Sequence, residues 1–276
     1  MAVAAGPVPI RVAIAGSGGR MGQTLIDAVL AAPDLTLAGA LEISGSALLG
    51  RDVGERSGRA TGVAITADPA SGVRSADVLI DFTRPEGTLA HLAACAAAKV
   101  GAVVGTTGLS DGDREAMREF ARIIPIVFAP NMSVGVNVLI KLVEVAAQRL
   151  GDDYDVEIVE MHHRHKVDAP SGTALRLGEA AATALSRDLE SVGVYARQGV
   201  TGERPGRAIG FASLRGGDVV GDHTVIFAGD GERIELTHRA GSRANFAQGA
   251  LRAARFVALK RKEPRVYDML DVLGLR

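Results

Sequence analysis

The run Ile10-Arg11-Val12-Ala13-Ile14-Ala15 is rich in β-branched side chains and leads without a break into Gly16-Ser17-Gly18-Gly19-Arg20-Met21-Gly22. Apolar residues at helical spacing follow at once, in Gln23-Thr24-Leu25-Ile26-Asp27-Ala28-Val29-Leu30. A buried strand, a glycine turn and a helix in immediate succession leave few folds open. They predict the first unit of a dinucleotide-binding α/β sheet. In that reading Gly16 permits the tight turn and Gly18 lets the backbone approach a pyrophosphate. The helix N-terminus then faces the phosphates. Gly22 stands one position later than the usual third glycine.

The second strand, Leu35-Thr36-Leu37-Ala38-Gly39-Ala40-Leu41, ends in Glu42, where a ribose-binding carboxylate belongs. Ile43 and Ser44 follow, so no arginine adjoins Glu42 to meet a 2′-phosphate. A Gly- and Ser-rich loop is predicted over 44–62, with a short strand over 63–65. Further strands are predicted over 78–83, 102–104 and 123–129, with helices over 89–98 and 115–122. Each strand end carries small or polar residues: Phe82 and Thr83, then Gly105, Thr106 and Thr107, then Ala129, Pro130, Asn131 and Met132. In a doubly wound sheet these ends line the ligand crevice.

Past Ser133 the pattern changes. A strongly apolar helix is predicted over 138–150 and a strand over 154–161. Residues 192–240 read as strands divided by the hairpin-type turns Gly216-Gly217-Asp218 and Gly229-Asp230-Gly231-Glu232. This predicts a second domain with an antiparallel sheet. A final helix over 246–259 is expected to pack back on the first domain.

Between these halves lies the densest chemistry of the chain: Glu160-Met161-His162-His163-Arg164-His165-Lys166-Val167-Asp168-Ala169-Pro170-Ser171-Gly172-Thr173-Ala174. The apolar-periodic run after Pro170 predicts a helix, capped by Ser171 or Thr173. The free N–H groups of such a start bind anions, carboxylates included. Lys166 and the histidines add positive charge and transferable protons. The stretch therefore predicts a receptor for a small polyanion with proton donors beside it. A metal site on His162, His163 and His165 is disfavoured. Adjacent residues of a strand face opposite ways, and no H-E-x-x-H helix is present.

Composition removes several classes. The net charge of −1 implies no basic face for nucleic acid. The lone cysteine, Cys95, excludes an intramolecular disulfide and fits a reducing compartment. The start, Met1-Ala2-Val3-Ala4-Ala5-Gly6-Pro7, lacks the pattern of a signal peptide, and no apolar run reaches membrane-span length. A soluble, cytoplasmic protein is expected, with no membrane partner.

The long signature from Glu160 to Ala174 resembles that of the 4-hydroxy-tetrahydrodipicolinate reductase (dihydrodipicolinate reductase) family. So do the glycine turn, Phe82-Thr83, Gly105-Thr106-Thr107-Gly108 and Ala129-Pro130-Asn131-Met132-Ser133, in the same order. The resemblance implies an α/β fold: a Rossmann-like doubly wound parallel sheet over 1–132 and 244–276, and an α+β substrate domain with an open mixed sheet over 133–243. It implies NADH or NADPH as hydride donor, a cyclic imine dicarboxylate of the diaminopimelate route to lysine as substrate, a homotetramer and no metal. His162 and Lys166 match the family's proton donors. His163, Lys166, Ser171, Gly172, Thr173 and Thr107 match its substrate contacts. Gly16, Ser17, Gly18, Gly19, Arg20, Met21, Glu42, Phe82, Thr83, Gly105, Thr106, Thr107, Ala129, Pro130, Asn131 and Met132 match its cofactor contacts. Ile43 departs from the family pattern, where an arginine is common, and this argues against a preference for NADPH.

Overall fold

The computed structural model describes residues 8–276, so the residues 1–7 read above for a leader pattern lie outside the described residues. The chain forms two compact units. The first holds the residues up to Ser133 together with Ala244–Gly274, and the second is Val134–Arg243.

In the first unit, strand and helix alternate. The order is β1 (Ile10–Ala15), α1 (Arg20–Ala31), β2 (Leu35–Leu41), β3 (Ile65–Thr66), α2 (Pro69–Val73), β4 (Val78–Asp81), α3 (Pro85–Ala98), β5 (Gly101–Val104), α4 (Asp111–Phe120) and β6 (Ile126–Phe128). The chain then builds the second unit: α5 (Val134–Leu150), β7 (Asp155–His162), α6 (Gly172–Ala184), α7 (Leu189–Val192), β8 (Gly193–Val194), β9 (Ile209–Arg215), β10 (Gly221–Gly229) and β11 (Glu232–Ala240). It returns to the first unit with α8 (Ala244–Leu259), β12 (Val266–Tyr267) and α9 (Met269–Leu273).

The first sheet runs β12-β6-β5-β4-β1-β2-β3, with every pairing parallel. Its strands are buried on both faces, as the unbroken apolar runs require. Leu92, Cys95, Val73 and Met117, from α2, α3 and α4, pack with Ala13, Leu79 and Ala102 into one core. Helices α1 and α8 pack on each other, and α8 also on β1, β4, β5 and β6. The last long helix thus packs on the first unit, as expected. Strand order reverses between β1 and β4. Their C-terminal ends lie side by side there, with Ala15 paired to Asp81, so this is the switch point where ligands bind.

The late glycine of the turn has a steric reason. Gly16 takes a left-handed φ of 68°, and a Cβ on Gly22 would fall 2.1 Å from the Gly16 carbonyl oxygen. The first turn of α1 therefore lies against the glycine turn only because residue 22 has no side chain.

The second sheet runs β11-β10-β7-β9-β8. It is mixed, as the family resemblance implied, and not purely antiparallel as the hairpin turns alone suggested. β10 pairs antiparallel with β7 and β11, but β7–β9 and β8–β9 are parallel. Parallel neighbours need a crossover: α6 lies in the one from β7 to β9, and the segment 195–208 makes the one from β8 to β9. Leu177, Ala180 and Ala181 of α6 share a core with Val143 of α5, Ile158, Phe211 and Phe227.

Helix starts shift from the sequence reading where a cap or weak helix formers precede the apolar run. α4 begins at Asp111 because Ser110 and Asp113 form a capping box. α5 begins at Val134, and its first turn holds Gly135 and Asn137, poor helix formers that hide the pattern. Residue 192 ends a short helix, capped by Asp188, and only Gly193–Val194 is strand. Among the described residues no helix is long and apolar enough to cross a membrane.

Candidate active site

In the first unit the glycine turn is held by its own backbone. Gly19 N–H donates to Gly16 O at 3.0 Å, and buried Ser17 bonds Leu41 O through both N–H and Oγ. Helix α1 opens at Arg20 after Gly19, with no side-chain cap. Its first N–H groups are left for a ligand rather than for a capping oxygen. Glu42 stands at the same turn: Oε1 accepts from Gly18 N–H at 2.7 Å and Oε2 from Ile43 N–H at 3.0 Å. An uncapped helix start, a glycine turn and a carboxylate at the second strand end fit a dinucleotide.

The other loops of this crevice rest on Asp81, which is buried at the end of β4. Its Oδ1 accepts from Thr83 N–H and Thr83 Oγ at 2.8 and 2.7 Å, and its Oδ2 meets His91 Nδ1 at 2.8 Å. Its backbone oxygen takes Gly105 N–H at 2.8 Å. Thr106 Oγ bonds buried Thr88 Oγ at 2.7 Å. Asp81 therefore ties the loop at Phe82 and Thr83, through its carboxylate, to that at Gly105, through its backbone oxygen. Thr106 and Met132 are buried as whole residues, so neither stands open to a ligand in this arrangement. Ala129 continues the β5–β6 ladder through its N–H on Val104 O, and Asn131 Oδ1 accepts Ser133 N–H. Pro130 is exposed, as is Thr107. Thr107 lies in the first unit, apart in the chain from the other substrate candidates.

In the second unit the period of a strand arranges the chemistry. Along β7 every second residue is buried: Val156, Ile158, Glu160 and His162. The first two enter the core and the last two carry the polar site on the same face. Strand register adds neighbours. His223 of β10 and Ser213 of β9 pair with Glu160, and Arg215 pairs with His162. Glu160, almost wholly buried, accepts both Arg215 Nη atoms at 2.8 Å, His162 Nδ1 at 2.5 Å and Ser171 N–H at 3.3 Å. Burial alone would raise its pKa. The hydrogen bonds from Arg215 and then His162 overcome that and hold it at about 2. Glu160 is therefore an anion at neutral pH. It fixes His162 Nδ1 as a donor and leaves Nε2 as the atom that can pass a proton.

Ser171 is the cap of α6; Thr173 lies inside the first turn, so the alternative cap is excluded. Ser171 Oγ accepts Ala174 N–H at 3.2 Å and meets His223 Nε2 at 2.9 Å. The His223 ring stands edge-on to His162, centroids 5.1 Å apart. Between β7 and α6 the loop turns back on itself: His163 N–H donates to Val219 O, and Lys166 N–H to His163 O. His163 Nδ1 is buried with no hydrogen-bond partner among the described residues. The Lys166 ammonium is held by both oxygens of Asp168, each at 2.8 Å. It is thus engaged by its own loop, and not by the start of α6. Arg215 also bonds Asp168 O at 2.7 Å. The structure so gathers His162, Ser171, Gly172 and Thr173 at one helix start. Among the described residues no group of His, Cys, Asp or Glu side chains is arranged to hold a metal.

Burial, with His162 alongside, pushes His223 down to about 4. It is neutral in the folded protein at neutral pH. Its ordinary value is 6.5, so between about pH 6.5 and 4 the unfolded chain binds the extra proton, and stability falls as pH drops through that window. The expected loss is about 3 kcal/mol between pH 7 and pH 4. His223→Gln should flatten that part of a melting-temperature profile against pH. An unchanged profile would place the acid sensitivity elsewhere.

With this geometry in view, two family models match the chain. The one described as dihydrodipicolinate reductase, N-terminus, covers residues 10–132, and the one described as dihydrodipicolinate reductase, C-terminus, covers 135–273. The chain belongs to the dihydrodipicolinate reductase family. A 4-hydroxy-tetrahydrodipicolinate reductase of Aromatoleum aromaticum is 59% identical over 98% of this chain and 97% of the relative. One of Thiobacillus denitrificans is 58% identical over 97% and 99%. A dipicolinate-bound dihydrodipicolinate reductase from Paenisporosarcina sp. TG-14 superposes with a TM-score of 0.74 at 26% identity, covering 96% of this chain and 99% of that one. GenD2 from gentamicin A biosynthesis, in complex with NAD, shares the fold at 16% identity and a TM-score of 0.58.

In this chain sequence reasoning missed His223, Arg215 and the Asp81–His91 pair. It quoted Glu160 without giving it a role. The alternation Gly221-Asp222-His223-Thr224-Val225 carries a usable signal, since it puts His223 on the face of Val225. The register that sets His223 opposite Glu160 is a tertiary fact.

Proposed function

We propose that this reductase uses the start of α6 and the loop before it to hold the carboxylates of a cyclic imine, and His162 Nε2 to donate the proton that completes its reduction. Its family membership makes it a 4-hydroxy-tetrahydrodipicolinate reductase of the diaminopimelate route to lysine. The observation that carries the reading of the site is the convergence of His162, Ser171 and His223 at one capped helix N-terminus. That terminus offers N–H donors to a carboxylate. His163, with its unpartnered Nδ1, is a further contact. Lys166, once released from Asp168, supplies a cation for the second carboxylate.

The glycine turn, the uncapped start of α1, Glu42 and the loops anchored on Asp81 would hold a nicotinamide dinucleotide, which when bound supplies the hydride. Around it the chain's own residues bind and orient: Glu42 the adenosine ribose, and Gly18 and the first turn of α1 the pyrophosphate. The two units take these roles separately, nucleotide in the first and substrate in the second. A cytoplasmic homotetramer accords with the reducing compartment that the lone Cys95 suggests, and with the exposed strand β11.

Ile43 shapes cofactor choice. It is exposed and adds no charge beside Glu42, which a 2′-phosphate would approach. NADH is therefore expected to serve at least as well as NADPH, and Ile43→Arg should shift kcat/KM toward NADPH. The test is the loss of reduced-nucleotide absorbance with enzymatically generated substrate, run with both cofactors. No oxidation of either would defeat the functional reading. A strong NADPH preference in the unaltered chain would defeat the argument from Ile43.

A further inference from the structure

The same corner of the first unit holds a cation that the sequence pattern does not announce. A small cleft beside the glycine turn is lined by Ser17, Gln23, Leu48, Arg51, Glu55 and Arg56. Arg56 comes from the loop between β2 and β3, and its Nη1 donates to Gly18 O at 3.2 Å. Gly18 N–H is the group that Glu42 holds. One residue of backbone thus separates the Glu42 carboxylate from the Arg56 guanidinium.

Charge bookkeeping selects among the arginines here. Arg51 is spent on Glu55, with Nη2–Oε1 at 2.6 Å and Nε–Oε2 at 2.8 Å. Arg56 forms no ion pair among the described residues; its one side-chain hydrogen bond there is to a carbonyl. Arg20 forms no ion pair either, but it is the first residue of α1 and no hydrogen bond ties its guanidinium to Gly18 or Glu42. A phosphate monoester carries close to two negative charges, and a planar guanidinium recognises it through paired hydrogen bonds.

We infer that Arg56 is the residue that accepts the 2′-phosphate of NADPH in this chain, from the loop after β2 rather than from the position beside Glu42. The inference rests on the cofactor reading above. Glu42 seats the ribose hydroxyls, and Arg56 lies across Gly18 from it, within side-chain reach of a group esterified to that ribose. The arrangement gives a dual-cofactor enzyme. Without a phosphate, Arg56 rests on Gly18 O and Glu42 receives the ribose. With one, Arg56 turns to it and offsets the repulsion from Glu42.

The experiment is calorimetric titration of the full protein with 2′,5′-ADP and with 5′-AMP, for the unaltered chain, Arg56→Leu and Arg56→Lys. Losing a charge-assisted contact should weaken 2′,5′-ADP roughly tenfold in Arg56→Leu. 5′-AMP should change by less than about twofold, Arg56→Lys should recover part of the loss, and raised salt should shrink the difference. Equal weakening of both nucleotides would overturn the proposal by making Arg56 a prop for the glycine turn. No change with either would overturn it too, and would point to Arg20. If the unaltered chain bound neither 5′-AMP nor NADH, the cofactor reading itself would fall. Binding of 5′-AMP with an unaltered response to the 2′-phosphate would sink only the role of Arg56.

Discussion

His162→Ala lowers kcat by roughly a hundred- to ten-thousand-fold, the usual cost of a lost general acid, with little change in KM for the imine. The expectation follows from what His162 touches. Its Nδ1 is committed to Glu160, so the ring contributes through Nε2. A proton passed from there is needed only as charge develops, which is the signature of an interaction confined to the transition state. Lys166→Met should behave differently and damage both kcat and KM, since a carboxylate contact already exists in the bound substrate. Neither change should alter NADH affinity, because both residues lie in the second unit. Steady-state kinetics across pH decides the matter. Near-full kcat in His162→Ala would pass the donor role to Lys166 or to water.

Glu160→Ala should cost about 3–5 kcal/mol of stability, the range for breaking one side of a buried ion pair. Glu160 holds Arg215, His162 and the N–H of Ser171 at once. Removing it leaves a guanidinium that is only about one-fifth exposed without its anion. It also frees the cap of α6 and the ring of His162, so activity should fall with stability. The pH dependence has a definite sign. The folded value lies below the ordinary 4.5, so the carboxylate's contribution is complete above about pH 4.5 and is lost as pH falls toward about 2. Urea unfolding at neutral pH and at pH 3 would show it: the gap between the unaltered chain and Glu160→Ala should narrow in acid. A loss below about 1 kcal/mol at neutral pH would mean that Arg215 finds water instead.

Much of this molecule is legible in its sequence. The succession from Ile10 to Leu30 is local, since each of its signals lies within a few residues of the next. Strands β1 to β6 could therefore be read one by one, while the two-residue β12 at the sheet's edge went unread. The stretch from Glu160 to Thr173 was legible for the same reason: chemistry and cap are contiguous. What escaped depends on pairing. The turns of the second unit alone read as an antiparallel sheet, because hairpins are visible in sequence and a crossover through α6 is not; the mixed sheet was implied only by the family resemblance. His223 and Arg215 join the site only through register with β7, and nothing near them in the chain advertises it. Arg56 escaped because it lies in an unpatterned loop. Lys166 was legible as a residue, but its engagement by Asp168 was not, because either acid of the stretch could have taken it.

The first unit is completed by a segment made last. Strands β1 to β6 are synthesised first, but α8, which packs on β1, β4, β5 and β6, begins only at Ala244. All five strands of the second sheet lie within Val134–Arg243, so that sheet can close while that helix is still unmade. During vectorial synthesis, where N-terminal domains usually fold first, this packing leads one to expect the first unit to close last, which pulse proteolysis of stalled chains would check. Until then the face that α8 covers on β1, β4, β5 and β6 has no helix to bury it, and a ribosome stalled before Ala244 is expected to present a finished second unit tethered to an unfinished first.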